Sequence, residues 1–315
     1  MPDWINDRNA ITPGAFILPE GFSRSTPMVR YFVTAQAMGW MGMIIVFITA
    51  LGSARLRARR NLSWFSFCFS WILSTTSYLI LSFAGQQTGL QPRSSVCLAQ
   101  AALVYGAPSV TAMTTLLLTL QLWSTMVAVF QNSKDVKRPG EWLQTHMRPL
   151  SFAPYVLFLM VVIASAINGG KNPETVRRAG SSVYCIIDTG VPGKISAGLV
   201  MLTLFVTLIA EGMIANLLYR NWTTFGRKGD FLATVIRITA FTFVGFLAII
   251  ISLIFISDRD RGDLSNIFIA LAPIAAVLIF GTQGDMVRVW MFWRWKREAR
   301  DSKIVVSGGK QVTLV

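Results

Sequence analysis

Seven long apolar stretches, separated by short polar segments, fill almost the whole chain between Arg30 and Gly284. A helix needs about 20 consecutive apolar residues to cross the hydrocarbon of a bilayer. The chain is 53% hydrophobic and only 14% charged, whereas a soluble domain carries roughly 25% charged residues. The pattern therefore predicts an all-α membrane protein, a seven-transmembrane-helix bundle with a short amphipathic surface helix after the last span. The spans fall near Tyr31–Ser53, Leu62–Ala84, Leu98–Phe130, Leu150–Ile167, Ile195–Tyr219, Phe231–Ser257 and Leu264–Gly284. The third would be about 50 Å long at 1.5 Å per residue, so it must tilt or project. Residues 1–28 read as a polar tail, 29–284 as the bundle, and 285–315 as an amphipathic helix and short tail. The tail shows no signal-peptide core, so the first span is expected to direct membrane insertion.

Charge placement sets the expected orientation. With the N-terminus outside, the inner segments hold 18 of the 29 basic residues and the outer segments 10, with Arg237 inside the sixth span. Lys and Arg near span ends collect on the cytoplasmic side, which favours N-out, C-in. The run Ala54-Arg55-Leu56-Arg57-Ala58-Arg59-Arg60 is the strongest single contribution. The net charge of +14 is thus assigned to the bilayer rim, not to nucleic acid. In this orientation the sequons Asn61-Leu62-Ser63 and Asn221-Trp222-Thr223 lie inside and are chance matches.

Few residues carry recognisable chemistry. The chain has no H-E-x-x-H, no G-x-S-x-G and no zinc-type Cys/His spacing, so no enzyme activity, metal or cofactor is expected. No lysine lies in the seventh span to form a retinal Schiff base. The lone His146 reads as a solvated loop residue, and Cys68 as a small core residue. Glu211 and Arg237 are the two clear charges inside the membrane. Such groups usually face the interior, water or a partner. Their matched depths in the fifth and sixth spans predict an ion pair, against the plainer reading that each is satisfied separately. Pro108 and Pro154 are candidates for kinks that shape a cavity. Met286, Trp290 and Trp293 share a face, and Arg294, Lys296, Arg297 and Arg300 follow. That pattern suits a helix lying on an anionic lipid surface.

Cys97 sits at the outer end of the third span and Cys185 in the outer loop 168–194. Both would face an oxidising space, where a disulfide persists. A bridge would pin that loop over the bundle mouth; two unrelated buried thiols are the alternative. Seven spans, N-out orientation, a long third helix and this cysteine placement resemble G-protein-coupled receptors over about Tyr31–Arg300. The Asp-Arg-Tyr triplet of the best-known receptor class is absent, its place reading Gln121-Leu122-Trp123-Ser124-Thr125. The Asn-Pro-x-x-Tyr motif is absent too, and only Pro273 corresponds. The segment Phe280-Gly281-Thr282-Gln283-Gly284-Asp285-Met286-Val287-Arg288 is similar to the inner end of the seventh helix in fungal receptors, including pheromone receptors.

The resemblance implies a structural Cys97–Cys185 bridge, an outer cavity for an extracellular ligand, and inner loops that meet a heterotrimeric G protein at the plasma membrane. Arg55, Arg57, Lys137, Arg138, Arg220, Arg227 and Lys228 would then face the G protein. Gln100, Tyr105, Ser109, Tyr184 and Asp188 are the expected ligand contacts, against packing or loop roles for each. The Glu211–Arg237 pair would sit where such receptors open, as a two-state switch. A seven-span transporter or lipid exporter, using Glu211 for substrate or proton, is the competing expectation.

Overall fold

A computed structural model of the chain describes residues 22–88, 91–130, 146, 149–179, 183–220, 236, 239–240, 242–243 and 262–291. Its helices are α1 (Phe22–Gly52), α2 (Ala54–Arg59), α3 (Leu62–Phe83), α4 (Ser94–Phe130), α5 (Ala153–Lys171), α6 (Val191–Arg220), α7 (Gly262–Gly281) and α8 (Gly284–Trp290). Five of them, α1, α3, α4, α5 and α6, are long and apolar enough to cross a membrane. The pair α7 and α8 passes the same test only together, and is bent by 82° at its break. The sixth predicted span, 231–257, lies outside the described residues except for Ile236, Thr239, Ala240, Thr242 and Phe243, all helical.

The distribution of side chains is that of a membrane protein. Met38, Met41, Ile45 and Ile48 form an exposed stripe on α1, and Leu202, Phe205, Ile209 and Met213 do so on α6. A water-soluble monomer rarely exposes apolar surface on this scale. Conversely, Ser70, Thr75, Thr114, Thr119 and Thr207 are buried. Most of these hydroxyls donate to a carbonyl one turn back on their own helix, as Thr114 does to Val110 O at 2.9 Å. In a medium without water, such internal satisfaction is obligatory. Ser70 Oγ also meets Thr114 Oγ1 across α3 and α4 at 2.8 Å.

The 37-residue α4 is the hub, packing against α3, α5 and α6, while α1 bridges α3 and α7. Close approach between α1 and α7 depends on glycine. A Cβ on Gly39 would stand 2.6 Å from Pro273 Cβ, and one on Gly42 2.8 Å from Val277 Cγ1. Small residues at helix contacts are what membrane packing rewards, since apolar burial adds little there.

Local signals explain the helix ends. Gly85, at φ +64°, closes α3: Gln86 N donates to Leu81 O and Gly85 N to Ser82 O, the paired bonds of a left-handed C-terminal cap. Pro154 occupies the first turn of α5, where no N–H is required. It therefore opens that helix and does not kink it, contrary to the sequence expectation. Pro108 stands inside α4. α1 starts at Phe22, before the expected Tyr31, and carries Pro27 near its beginning. The first basic loop is not irregular: Ser53 Oγ accepts from Leu56 N at 3.5 Å and starts the short α2. Between α5 and α6, a one-turn helix at Pro173–Thr175 leads into β1 (Val176–Arg178), antiparallel to β2 (Cys185–Ile187), with Arg178 opposite Cys185.

Candidate functional site

The hairpin is fastened to the first turns of α4. Cys97 and Cys185 are disulfide-bonded, with Cα atoms 5.4 Å apart. Gln100, one turn on, accepts from Cys185 N at 3.0 Å and donates to Tyr78 O at 3.0 Å. Tyr105 Oη donates to Ile187 O at 3.3 Å and accepts from Ile187 N at 3.2 Å. Ser196 of α6 donates to Tyr105 O at 2.7 Å. α4 thus holds both ends of β2, and an amide edge that would otherwise need water is satisfied.

These bonds place the five expected ligand contacts. Gln100 and Tyr105 are engaged in holding β2. Ser109 is buried, and its Oγ has no hydrogen-bond partner among the described residues. Tyr184 turns inward and packs on Phe32 and Tyr78. Asp188 turns outward and pairs with Arg177; both side chains are about half exposed. Asp188 therefore does not line the interior, because its cationic partner lies on the outer rim of β1. Beside it, Arg178 Nη2 donates to Gln86 O at 2.9 Å.

Glu211 is buried on α6, its Oε1 without a hydrogen-bond partner among the described residues. Its carboxyl lies toward Thr242, whose buried Oγ1 has no hydrogen-bond partner within normal reach among the described residues. Arg237, its expected ion-pair partner, lies outside the described residues. So do Lys137, Arg138, Arg227, Lys228 and the side chain of Arg55. Arg57 and Arg220 are exposed at the same end of the bundle as α8. His146 is exposed but helical, and Cys68 is a buried free thiol.

That end carries a feature not anticipated from sequence. Arg60 Nη2 meets Asp285 Oδ2 at 2.5 Å, and the guanidinium lies 4.8 Å from the Trp64 ring centroid. Asp285 Oδ1 accepts from Met286 N at 3.1 Å, and Trp290 Nε1 donates to Thr49 Oγ1 at 3.2 Å. Met286 is fully buried with Leu56, Phe67 and Phe280. α8 is thereby docked against α1, α2 and α3. The lone acid just beyond the last apolar stretch, facing a basic run, is the only sequence signal for this pair. Asp285→Asn is expected to weaken docking by about 1 kcal/mol, allowing for screening at this partly exposed rim. A maleimide should then label Met286→Cys roughly fivefold faster than in the unaltered background. An equal labelling rate would show that the ion pair does not hold α8.

No protein-family profile matches this chain, and no characterised protein matches it significantly in sequence. What the fold defines is a class: a predominantly helical, membrane-embedded protein whose 37-residue helix α4 carries a disulfide-pinned hairpin.

Proposed function

We propose that this chain is a plasma-membrane receptor with seven spans, N-out and C-in, which passes an extracellular signal to a heterotrimeric G protein. The observation that carries the reading is the disulfide from the head of the hub helix α4 to the hairpin preceding α6. It ties a covering loop to the helix that packs against α3, α5 and α6. A ligand bound beneath the hairpin can therefore bias the packing of α4 against α3, α5 and α6. It does so only through different affinities for two arrangements. At the other end, basic side chains such as Arg57 and Arg220 are exposed and suit a protein partner. The polar tail 1–28 is the extracellular segment in this reading, and 285–315 the cytoplasmic one.

Glu211 favours a second reading, that of a transporter. A buried carboxyl with an oxygen that has no partner among the described residues is costly in lipid and commonly marks a proton or substrate path. One pair of assays separates the two. As a receptor, the purified chain accelerates nucleotide exchange on a co-purified G protein when exposed to its ligand. Solute uptake by reconstituted vesicles, without any such exchange, would replace the receptor by the transporter.

A further inference from the structure

Tyr184 enters the bundle from the residue before Cys185, and its ring closes a triangle with Phe32 of α1 and Tyr78 of α3. Ring centroids lie 6.1 Å from Phe32 and 5.6 Å from Tyr78, with Phe32 and Tyr78 themselves 5.7 Å apart. These are the separations of favourable tilted and edge-to-face aromatic pairs. Ala35, Val104 and Ala270 belong to the same buried cluster. The side chains packed together here are aliphatic groups, aromatic rings and phenols. The charges of the hairpin are engaged elsewhere, Arg177 with Asp188 and Arg178 with Gln86 O. Burial, reinforced by nearby Tyr105, pushes the Tyr184 phenol up to about 12, so the occupant of the triangle is neutral.

Two further observations bear on what else could sit there. Gln36 lies one turn from Phe32 on the same face of α1. Its Nε2 donates to Ile269 O at 3.1 Å, but its buried Oε1 has no hydrogen-bond partner among the described residues. A buried acceptor left in this state is costly, and a donor on a bound molecule would remove that cost. The backbone at Tyr184, meanwhile, is held independently of its ring. Ala179 N donates to Tyr184 O at 2.9 Å, and Gln87 Nε2 donates to Val183 O at 2.9 Å. The next residue is in the disulfide. Rotation of the Tyr184 side chain would vacate a ring-sized space while leaving these bonds intact.

We propose that Tyr184 is the built-in occupant of a ring-binding site, and that the sensed molecule is a neutral aromatic with a hydrogen-bond donor, which takes its place between Phe32 and Tyr78. An ion would lose its hydration against these apolar and aromatic faces. The ring offers apolar area and aromatic contacts, and its donor reaches for Gln36. This ligand class rests on the receptor reading of the preceding section.

The test uses para-cresol, which is the tyrosine side chain itself, on the purified full chain. For Tyr184→Ala, saturating para-cresol is expected to raise the melting temperature by about 5 °C more than it does for the wild type. Tyramine and para-hydroxybenzoate, its charged analogues, are expected to produce no such difference. Absence of the para-cresol shift, or equal shifts from the charged probes, overturns the proposal. A second measurement covers the case in which the alanine variant does not fold. With fluorotyrosine at position 184 of the otherwise unaltered chain, para-cresol is expected to move the fluorine resonance to its solvent-exposed position. A resonance unmoved at saturation overturns the proposal as well. Neither readout involves a G protein, so failure here leaves the coupling reading standing, and failure of coupling leaves the ring site standing.

Discussion

Replacing Cys97 and Cys185 together by serine is expected to destabilise the protein by about 4–5 kcal/mol. The bridge closes a sequence separation of 88 residues, and the chain-entropy cost of opening so long a loop sets that magnitude. The other ties at this end are weaker. The hydrogen bonds of Gln100 and Tyr105 to β2 each contribute about 1 kcal/mol, and strands of three residues cannot hold a hairpin unaided. Two-thirds or more of a typical folding free energy of about 5–15 kcal/mol can be lost in the less stable part of that range. The variant should therefore melt far below the wild type in the same detergent, or fail to accumulate as a monodisperse species. A serine variant with an unchanged melting temperature would show that the hydrogen bonds alone seat the hairpin.

The second large effect lies at the contact of α1 with α7. Gly39→Ala places a methyl group 2.6 Å from Pro273 Cβ and 2.9 Å from its Cγ. A proline ring cannot swing aside, so the helices must separate, at a cost of about 1–3 kcal/mol typical of overpacking. Gly198→Ala, on α6, serves as the control because no described residue lies within 4 Å of its added Cβ. Relief of glycine's backbone entropy should make that change neutral or stabilising by about 0.5–1 kcal/mol. Thermal unfolding of the two variants side by side separates packing from helix propensity. Equal melting temperatures would mean that α1 and α7 are not in the contact described.

How much of this was legible beforehand depends on the range of the interaction. Five spans could be read from sequence because each is an unbroken apolar run, and the membrane condition acts on every residue of the run. The cysteines at 97 and 185 stood out because so few occur. The hairpin did not: Val176-Arg177-Arg178 has neither the length nor the alternation of a recognisable strand, and it exists because α4 supplies partners for Cys185 and Ile187. Gln100 and Tyr105 looked like ligand contacts because polar groups in an apolar helix invite that reading. Their partners in β2 are backbone groups more than 80 residues away. The 82° break between α7 and α8 is set partly by Arg60 and Thr49, which reach Asp285 and Trp290 across more than 200 residues of sequence. No local pattern encodes such a bend. Pro154 misled in the opposite sense, since the same residue kinks a helix from within and initiates one from its first turn.

Orientation across the bilayer underlies the sensing role, the oxidised cysteines and the assignment of the basic end to the cytosol. The most direct measurement is antibody access to epitope tags placed before Met1 and after Val315 in the same intact cells. The N-terminal tag is expected to be labelled without permeabilisation and the C-terminal tag only after it. Labelling of both tags from the same side, which means an even number of crossings, or of the C-terminal tag alone from outside, would contradict the account.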